Sequence, residues 1–304
     1  MTVRTVYYRW RRKIIETVYA RLPTPELAQP VFILGCGRSG KSTLANLLSH
    51  YDEILYLNEP RHLWLSVFPQ SDIWTVKAEA RHGRMVLDAD DFEPRRARRL
   101  RRLLRLQVIR QNRSILVEEL AINSFRIDLI RRIFPRARFI HVYRDGLEVA
   151  DLIGVAAERG NWFGANGYKW KQLVEYAERG ACTRGLATMC ENFRDMGLLE
   201  WRLSTEAVVS SLAGLPRESY LEFNSNELFD NSAQVLARVA RFLGLEFRPR
   251  TDGRAQEEPR RSSKHRLPDI SARDEALGGP MLRVSISQPD GLVPAKAAGA
   301  TAVE

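Results

Sequence analysis

The pattern of apolar and polar positions along most of the chain predicts short strands that alternate with longer helices. Five short apolar runs are typical of buried parallel strands: residues 31–35, 54–57, 114–118, 138–143 and 219–223. Apolar residues at helical spacing fill most of the segments between them: from 44 to 48, over 93–112, over 124–134, from near Leu147, through most of 162–213 and over 232–243. Gly244 directly follows the last segment, where a glycine commonly ends a helix.

This alternation predicts the fold class. Strands that alternate with helices assemble into parallel sheets through right-handed crossovers. We therefore predict an α/β fold with a P-loop-type doubly wound parallel sheet flanked by helices. The mostly helical residues 162–213 then form a helical insertion.

The same pattern divides the chain into three regions. Residues 1–30 include a basic stretch with Tyr, Trp and Ile at helical spacing, which predicts an amphipathic N-terminal helix. Residues 31–250 carry the α/β pattern. Residues 251–304 are polar and then rich in Pro, Ala and Gly, so we predict a C-terminal extension whose last ~15 residues are disordered.

Composition adds constraints on partners and location. The chain has 304 residues and a net charge of +10, which suits anionic partners such as nucleotides, acidic glycans or lipid surfaces. Its three cysteines are too few for a disulfide framework, and no Cys/His cluster has metal-ligand spacing. No stretch approaches the roughly 20 apolar residues that span a bilayer, and the N-terminus lacks the apolar core of a secretory signal. We expect a cytoplasmic protein whose N-terminal helix is a candidate for peripheral membrane contact.

Residues 35–43 (GCGRSGKST) have the spacing of a phosphate-binding loop, G-x-x-x-x-G-K-[ST]. The loop lies between an apolar strand and a helix, which is the context that the motif requires. Its glycines let successive N–H groups point at an anion, and the helix adds its positive end. We predict that phosphate is bound by Gly37, Arg38, Ser39, Gly40, Lys41, Ser42 and Thr43.

The loop alone does not identify the nucleotide. Kinases, GTPases and sulfotransferases share it. A magnesium-dependent enzyme also needs a carboxylate at the end of another strand, and Glu118 or Glu119 could supply it. An ATP- and magnesium-dependent P-loop kinase is therefore one hypothesis, and a non-enzymatic protein that binds nucleotides or polyanions is another.

Residues 134–152 (FPRARFIHVYRDGLEVADL) resemble a signature of sulfotransferases that use 3′-phosphoadenosine 5′-phosphosulfate (PAPS). In that family a strand ends in an arginine that contacts the donor's 3′-phosphate, and Arg144 has this place. Four other segments resemble family segments in the same order: the loop at 35–43, the Glu-Pro segment at 56–64, residues 117–135, and the late strand and helix at 219–245. The resemblance spans roughly residues 31–245.

The resemblance implies transfer of a sulfuryl group from PAPS, as co-substrate, to a hydroxyl or amine of an acceptor, without a metal. The sequence does not identify the acceptor: a carbohydrate, a lipid, a protein tyrosine and a small natural product are all open, and we expect no nucleic acid as partner. Lys41 and Arg38 then neutralise charge on the leaving nucleotide. Glu59 is the leading candidate for the general base, because it follows the second strand at the ligand-binding edge of the sheet. His62 is the second candidate.

Two positions depart from the family pattern. The family usually has a serine eight residues after the arginine, where it bonds the 3′-phosphate, but this chain has Leu152, preceded by Asp151. We expect Asp151 to point away from the phosphate, and the basic residues of 260–264 are candidates to compensate. Many family members also have threonine where Lys41 stands.

Two further groups of residues have alternative interpretations. Arginines of 95–113 either attract an anion or cover the solvated face of a helix. Six residues of the helical insertion either form an acceptor pocket, stack on adenine or belong to the core: Trp162, Phe163, Tyr168, Trp170, Trp201 and Arg202. His141, inside an apolar strand, is expected to be a core residue.

Overall fold

The structure is a computed structural model that describes residues 27, 29–160, 162–247 and 270–287. The strands of this part are β1 Val31–Leu34, β2 Ile54–Asn58, β3 Ile115–Glu119, β4 Arg138–Tyr143 and β5 Tyr220–Asn224. The helices are α1 Lys41–Leu48, α2 Arg61–Val67, α3 Pro94–Arg110, α4 Ile127–Ile133, α5 Gly146–Glu158, α6 Tyr168–Arg179, α7 Phe193–Ala213, α8 Ser225–Asp230, α9 Ser232–Leu243 and α10 Ala272–Ser287. The N-terminal helix predicted at 3–22, the basic run at 260–264 and the predicted disordered end lie outside the described residues.

The five strands form one parallel sheet in the order β2-β3-β1-β4-β5. Val31 of β1 pairs with Val117 on one side and with Arg138 on the other. After β1 the chain forms β2 at the edge of the sheet and then β3 between β2 and β1, and it next crosses to the other side of β1, so the switch point lies beside β1. The predicted α/β fold with a parallel sheet flanked by helices is confirmed.

Apolar residues cover both faces of the sheet. One face carries Val31, Ile33 and Phe223, and it packs against α1 and α9. The opposite face carries Phe32 and Leu34, and it packs against α3, α4, α5 and α7. Because successive strand residues point to opposite faces, the continuous run VFIL in β1 fills both cores.

The phosphate-binding loop turns between β1 and α1 on glycines that no other residue could replace. Gly35 has φ 127°, and a Cβ at this position would lie 2.3 Å from the carbonyl oxygen of Val142 in β4. Gly40 has φ 94° and begins α1. The loop therefore lies tight against the carboxyl end of the sheet.

The turn after β4 has a helix-capping aspartate. The Asp145 carboxylate accepts hydrogen bonds from the backbone N–H groups of Leu147 and Glu148, each at 3.0 Å. These bonds satisfy donors that a helix start leaves without partners. They also fix the direction of α5, which leaves the sheet edge directly after Arg144.

Three helices of the described part were not predicted from the sequence. Helix α2 begins within the Glu-Pro segment at 56–64, for which no helix was predicted, and the short helix α8 lies between the predicted late strand and the helix at 232–243. Helix α10 lies within the region read as a polar extension, and its Leu277 and Leu282 are buried against the domain. The polar composition around these two leucines hid the apolar contact that they make.

Among the described residues, no helix is long and apolar enough to cross a membrane.

Candidate active site

A cleft of about 1200 Å³ opens at the carboxyl edge of the sheet. Its walls come from the phosphate-binding loop, the ends of β2 and β3, helix α5 and helix α7. Six of the seven predicted loop residues line it: Gly37, Arg38, Gly40, Lys41, Ser42 and Thr43. The seventh, Ser39, is buried, and its hydroxyl has no hydrogen-bond partner among the described residues.

Lys41 is folded back onto its own loop. Its Nζ donates to the carbonyl oxygen of Cys36 at 2.5 Å and lies 4.0 Å from Oε1 of Glu119. Only 3% of Lys41 is exposed, so its ammonium group is shielded from solvent although the residue lines the cleft. Cys36 is buried, and burial raises the pKa of its thiol to about 12. This thiol therefore stays protonated and is no nucleophile.

The two glutamates at the end of β3 point in different directions. Glu119 lines the cleft and accepts hydrogen bonds from Ser42 at 3.0 Å and Tyr56 at 2.6 Å. Burial, together with the bond to Glu119, raises the pKa of the Tyr56 hydroxyl. Glu118 is buried outside the cleft and accepts from Trp64 and Asn123. In the described part of the chain, no group of three or more His, Cys, Asp or Glu residues is arranged to hold a metal ion.

Glu59 lies in the cleft, as expected from its position after β2. It has φ 45°, an uncommon backbone conformation for a residue other than glycine. Its Oε2 accepts from Nε and Nη2 of Arg61, each at 2.7 Å, and its Oε1 accepts from the backbone of Ala121 at 3.3 Å. The Arg61 guanidinium in turn stacks 4.1 Å from the ring centroid of Trp74. The Glu59 carboxylate is thus held in one orientation.

His62 does not lie in the cleft beside Glu59. It lies exposed on α2 and is not among the residues that line the cleft. A short helix directs neighbouring residues to different sides, so the sequence distance of three from Glu59 did not imply proximity of the two side chains.

Arg144 lies in the cleft at the end of β4 and is 7% exposed. Its Nε donates to Oε2 of Glu148 at 2.6 Å, and its guanidinium lies 6.0 Å from the ring centroid of Phe229. Leu152, which lies on α5 eight residues after Arg144, also lines the cleft. Asp151 does point elsewhere, because its carboxylate pairs with Arg194 at 2.8 Å.

Of the six insertion residues considered from the sequence, only Trp162 lines the cleft. Trp201 is buried and donates its indole N–H to the carbonyl oxygen of Arg144. Arg202 is buried and donates to the carbonyl oxygens of Ala276 and Cys182, so it ties α10 to α7. Core packing rather than ligand binding therefore explains Trp201 and Arg202.

His141 is a core residue, as the sequence suggested. It is fully buried in β4, and its Nδ1 lies 2.9 Å from Oε1 of Glu222 in β5.

Several cleft residues were missed by reasoning from the sequence, among them Arg61, Trp74, Arg159, Lys169, Glu200 and Phe229. Lys169 and Glu200 are 7% and 4% exposed and form an ion pair at 2.6 Å. They lie on α6 and α7, two helices that pack against each other. Neither residue belongs to a motif, so no local signal in the sequence could have found them.

Comparison with known proteins gives one family and several distant structures. A model of the sulfotransferase family matches residues 30–249. A sulfotransferase from Alicyclobacillus acidocaldarius is 16% identical over 78% of this chain and 88% of its own, with a TM-score of 0.44. A sulfotransferase from Mycobacterium avium is 12% identical over 93% of this chain and 73% of its own, with a TM-score of 0.46. A search of curated proteins finds no match.

Proposed function

This chain belongs to the sulfotransferase family, and we propose that it transfers a sulfuryl group from PAPS to a hydroxyl or amine of a small-molecule acceptor. The family match favours this enzyme over the P-loop kinase that the loop by itself left open. One observation carries the choice of donor: the phosphate-binding loop and Arg144 line the same cleft. PAPS carries charge at two separate ends, and the cleft offers cations at two separate places.

The loop suits the 5′-phosphosulfate end of the donor. Backbone N–H groups and the start of α1 favour an anion at this position. Lys41, which is buried, and Arg38, which is exposed, both line the cleft at this loop and supply positive charge to the bound group.

Arg144 suits the 3′-phosphate end. Its guanidinium offers several N–H donors, of which Nε is engaged by Glu148. The Phe229 ring beside it presents an aromatic face on which an adenine base could stack. Leu152 gives only apolar contact where the family's serine would donate, so Arg144 carries more of the phosphate binding here.

Sulfuryl transfer forms a bond from the acceptor oxygen or nitrogen to sulfur and breaks the bond from sulfur to the phosphate oxygen. The acceptor loses a proton, and negative charge grows on the leaving bisphosphate. Lys41 and the loop N–H groups stabilise that charge, and the exposed Arg38 binds the oxygens of the sulfuryl group during its transfer. Glu59, held in the cleft by Arg61, takes the proton. The orientation fixed by Arg61 and Trp74 places the carboxylate before the acceptor arrives.

The decisive experiment compares two nucleotides by calorimetric titration. We expect 3′,5′-adenosine bisphosphate to bind equally well with and without magnesium, and more tightly than ATP. Arg144→Ala should weaken bisphosphate binding by about tenfold to a hundredfold, because a charged hydrogen-bond partner is lost. Arg136→Ala is the matched control, since this exposed arginine lies just before β4 at the opposite edge of the sheet. Magnesium-dependent binding of ATP without binding of the bisphosphate would refute the proposal.

A further inference from the structure

The ring of Trp162 lies directly on the phosphate-binding loop. A Cβ atom at Gly37 would lie 2.6 Å from two atoms of this ring, so glycine alone leaves room for it. The next loop residue, Arg38, has φ 68°, and its guanidinium carbon lies 5.2 Å from the centroid of the same ring. The ring therefore contacts the loop backbone and the loop's exposed cation together.

Two buried charges hold Trp162 in this position. Its indole N–H donates to Oε2 of Glu200 at 2.9 Å, while Lys169 donates to Oε1 of the same carboxylate at 2.6 Å. The Lys169 ammonium also lies 4.7 Å from the centroid of the Trp162 ring. Both oxygens of Glu200 are thus engaged, and the ring is held at its N–H and at its face.

The arrangement is costly to build for stability alone. Glu200 and Lys169 are 4% and 7% exposed, and removing two charges from water costs free energy that their pairing only partly returns. All three side chains line the donor cleft rather than the core. Buried ion pairs of this kind are well suited to fixing the geometry of a neighbouring group.

We propose that Trp162 is a positioning residue for Arg38, and that Glu200 and Lys169 fix the Trp162 ring where it holds the guanidinium over the loop. The inference rests on the proposed function, because Arg38 acts on the sulfuryl end of PAPS. An exposed arginine side chain has many rotamers, and the ring restricts it to those that face the cleft. Arg38 then needs little reorganisation when the sulfuryl group moves from the nucleotide to the acceptor.

The test separates the sulfuryl end of the donor from the rest of it. PAPS carries the sulfuryl group, and 3′,5′-adenosine bisphosphate lacks it, so the ratio of the two affinities reports on that end alone. Trp162→Ala and Arg38→Ala should each lower the affinity for PAPS about tenfold and the affinity for the bisphosphate much less. The double variant should bind PAPS no more weakly than Arg38→Ala alone, because the ring acts through the guanidinium.

Additional variants test the role of Glu200 and guard against misfolding. Glu200→Gln retains an oxygen acceptor and should lower PAPS affinity less than Trp162→Ala does. Trp162→Phe keeps a ring on Gly37 but removes the N–H donor. It should also lower the affinity for PAPS more than the affinity for the bisphosphate, but by less than Trp162→Ala does. Trp170→Phe is the control, since this tryptophan packs on Phe163 and is not among the residues that line the cleft.

Two results would overturn the inference. The first is an equal loss of affinity for both nucleotides in Trp162→Ala, and the second is full additivity in the double variant. Either would mean that the ring supports the loop without acting through Arg38. If the unmodified protein bound neither nucleotide, the proposed donor itself would be wrong, and this inference would fall with it.

Discussion

At the scale of single residues, most cations of the cleft have a carboxylate partner. Arg61 pairs with Glu59, Lys169 with Glu200, and Arg144 with Glu148. Among the described residues, Arg38 and Arg159 are the cleft cations for which no carboxylate lies within ion-pair distance. An anionic donor would therefore meet two uncompensated cations and would compete with carboxylates for the others.

The pair of Arg144 and Glu148 leads to a prediction about donor affinity. Glu148→Gln removes a negative charge beside the proposed 3′-phosphate site while leaving an oxygen that can accept from Arg144. We expect 3′,5′-adenosine bisphosphate to bind about threefold to tenfold more tightly, because repulsion is removed and the guanidinium is kept. Calorimetric titration at low ionic strength measures the effect. Weaker binding would instead mean that the carboxylate's main role is to orient Arg144.

Glu59 leads to a prediction about turnover. Glu59→Gln keeps the shape of the side chain but removes the base, so we expect transfer from PAPS to fall about a hundredfold or more. Binding of 3′,5′-adenosine bisphosphate should change little. The rate is measured as bisphosphate released from PAPS in the presence of a panel of phenol, sugar and amine acceptors. An unchanged rate with any accepted compound would eliminate Glu59 as the base.

At the scale of elements, the strands were predicted to within one or two residues, and β4 was predicted with its observed bounds. Each strand is a buried apolar run next to a turn signal, and such a signal is local. The start of α4 was predicted less well, at residue 124 instead of Ile127, because a 3-10 turn at Ala121–Phe125 precedes the helix. That turn places the Ser124 hydroxyl 3.1 Å from the N–H of Gly35, a contact between distant segments that no local pattern encodes.

Helix α5 shows how one element contributes a wall of the cleft. Four of its residues or neighbours line the cleft at positions separated by three, one and three residues: Leu152, Val155, Ala156 and Arg159. This spacing places them on one face of a helix. The helix was predicted, but which of its faces meets the cleft depends on how the opposite face packs against α7.

Helix α10 leads to a prediction about stability. Arg202 donates to the carbonyl oxygens of Ala276 and Cys182 and to Glu206, and its side chain is 5% exposed. Arg202→Ala should lower the free energy of unfolding by about 3 kcal/mol, because buried acceptors lose a charged donor. Hydrogen exchange should show faster opening of α10 than of the sheet.

The exposed Arg179 on α6 supplies the control for this prediction. Arg179→Ala should change the free energy of unfolding by no more than about 0.5 kcal/mol. An equally small effect of Arg202→Ala in urea unfolding would show that α10 is held mainly by Leu277 and Leu282.

At the scale of the whole molecule, a buried carboxyl group couples stability to pH. Burial raises the pKa of Glu118 from its ordinary value of 4.5 to about 7, although Trp64 and Asn123 donate to it. Its Oε2 has no partner among the described residues, which suits a protonated carboxyl. The folded state therefore keeps a proton that the unfolded state releases between these two pH values.

The sign of the resulting effect follows from linkage. Glu118 contributes its stability fully below pH 4.5, and that contribution is lost as the pH rises through about 7. The difference is about 3 kcal/mol, since one pKa unit corresponds to about 1.4 kcal/mol. The free energy of unfolding of Glu118→Gln, relative to that of the unmodified protein, should thus be higher at about pH 8 than at about pH 5.

Urea unfolding at both pH values measures this difference. Comparing the two conditions cancels any fixed cost of burying the amide. Glu158→Gln, at the exposed end of α5, is the control and should follow the unmodified protein at both pH values. A Glu118→Gln variant with the same pH dependence as the unmodified protein would show that Glu118 is ionised in the folded state.

The sequence by itself determined the strands, the loop at 35–43, the parallel α/β fold and the place of Arg144, because each depends on a short, local pattern of residues. Only the tertiary structure decided which side chains meet in the cleft. Arg61 locks Glu59, His62 points outward, and Glu200 fixes Trp162 on Gly37. The contacts among Glu200, Trp162 and Gly37 join residues far apart in the chain. The placement of Glu59, Arg61 and His62 relative to the cleft also arises from the packing of helices on the sheet, which no single segment specifies.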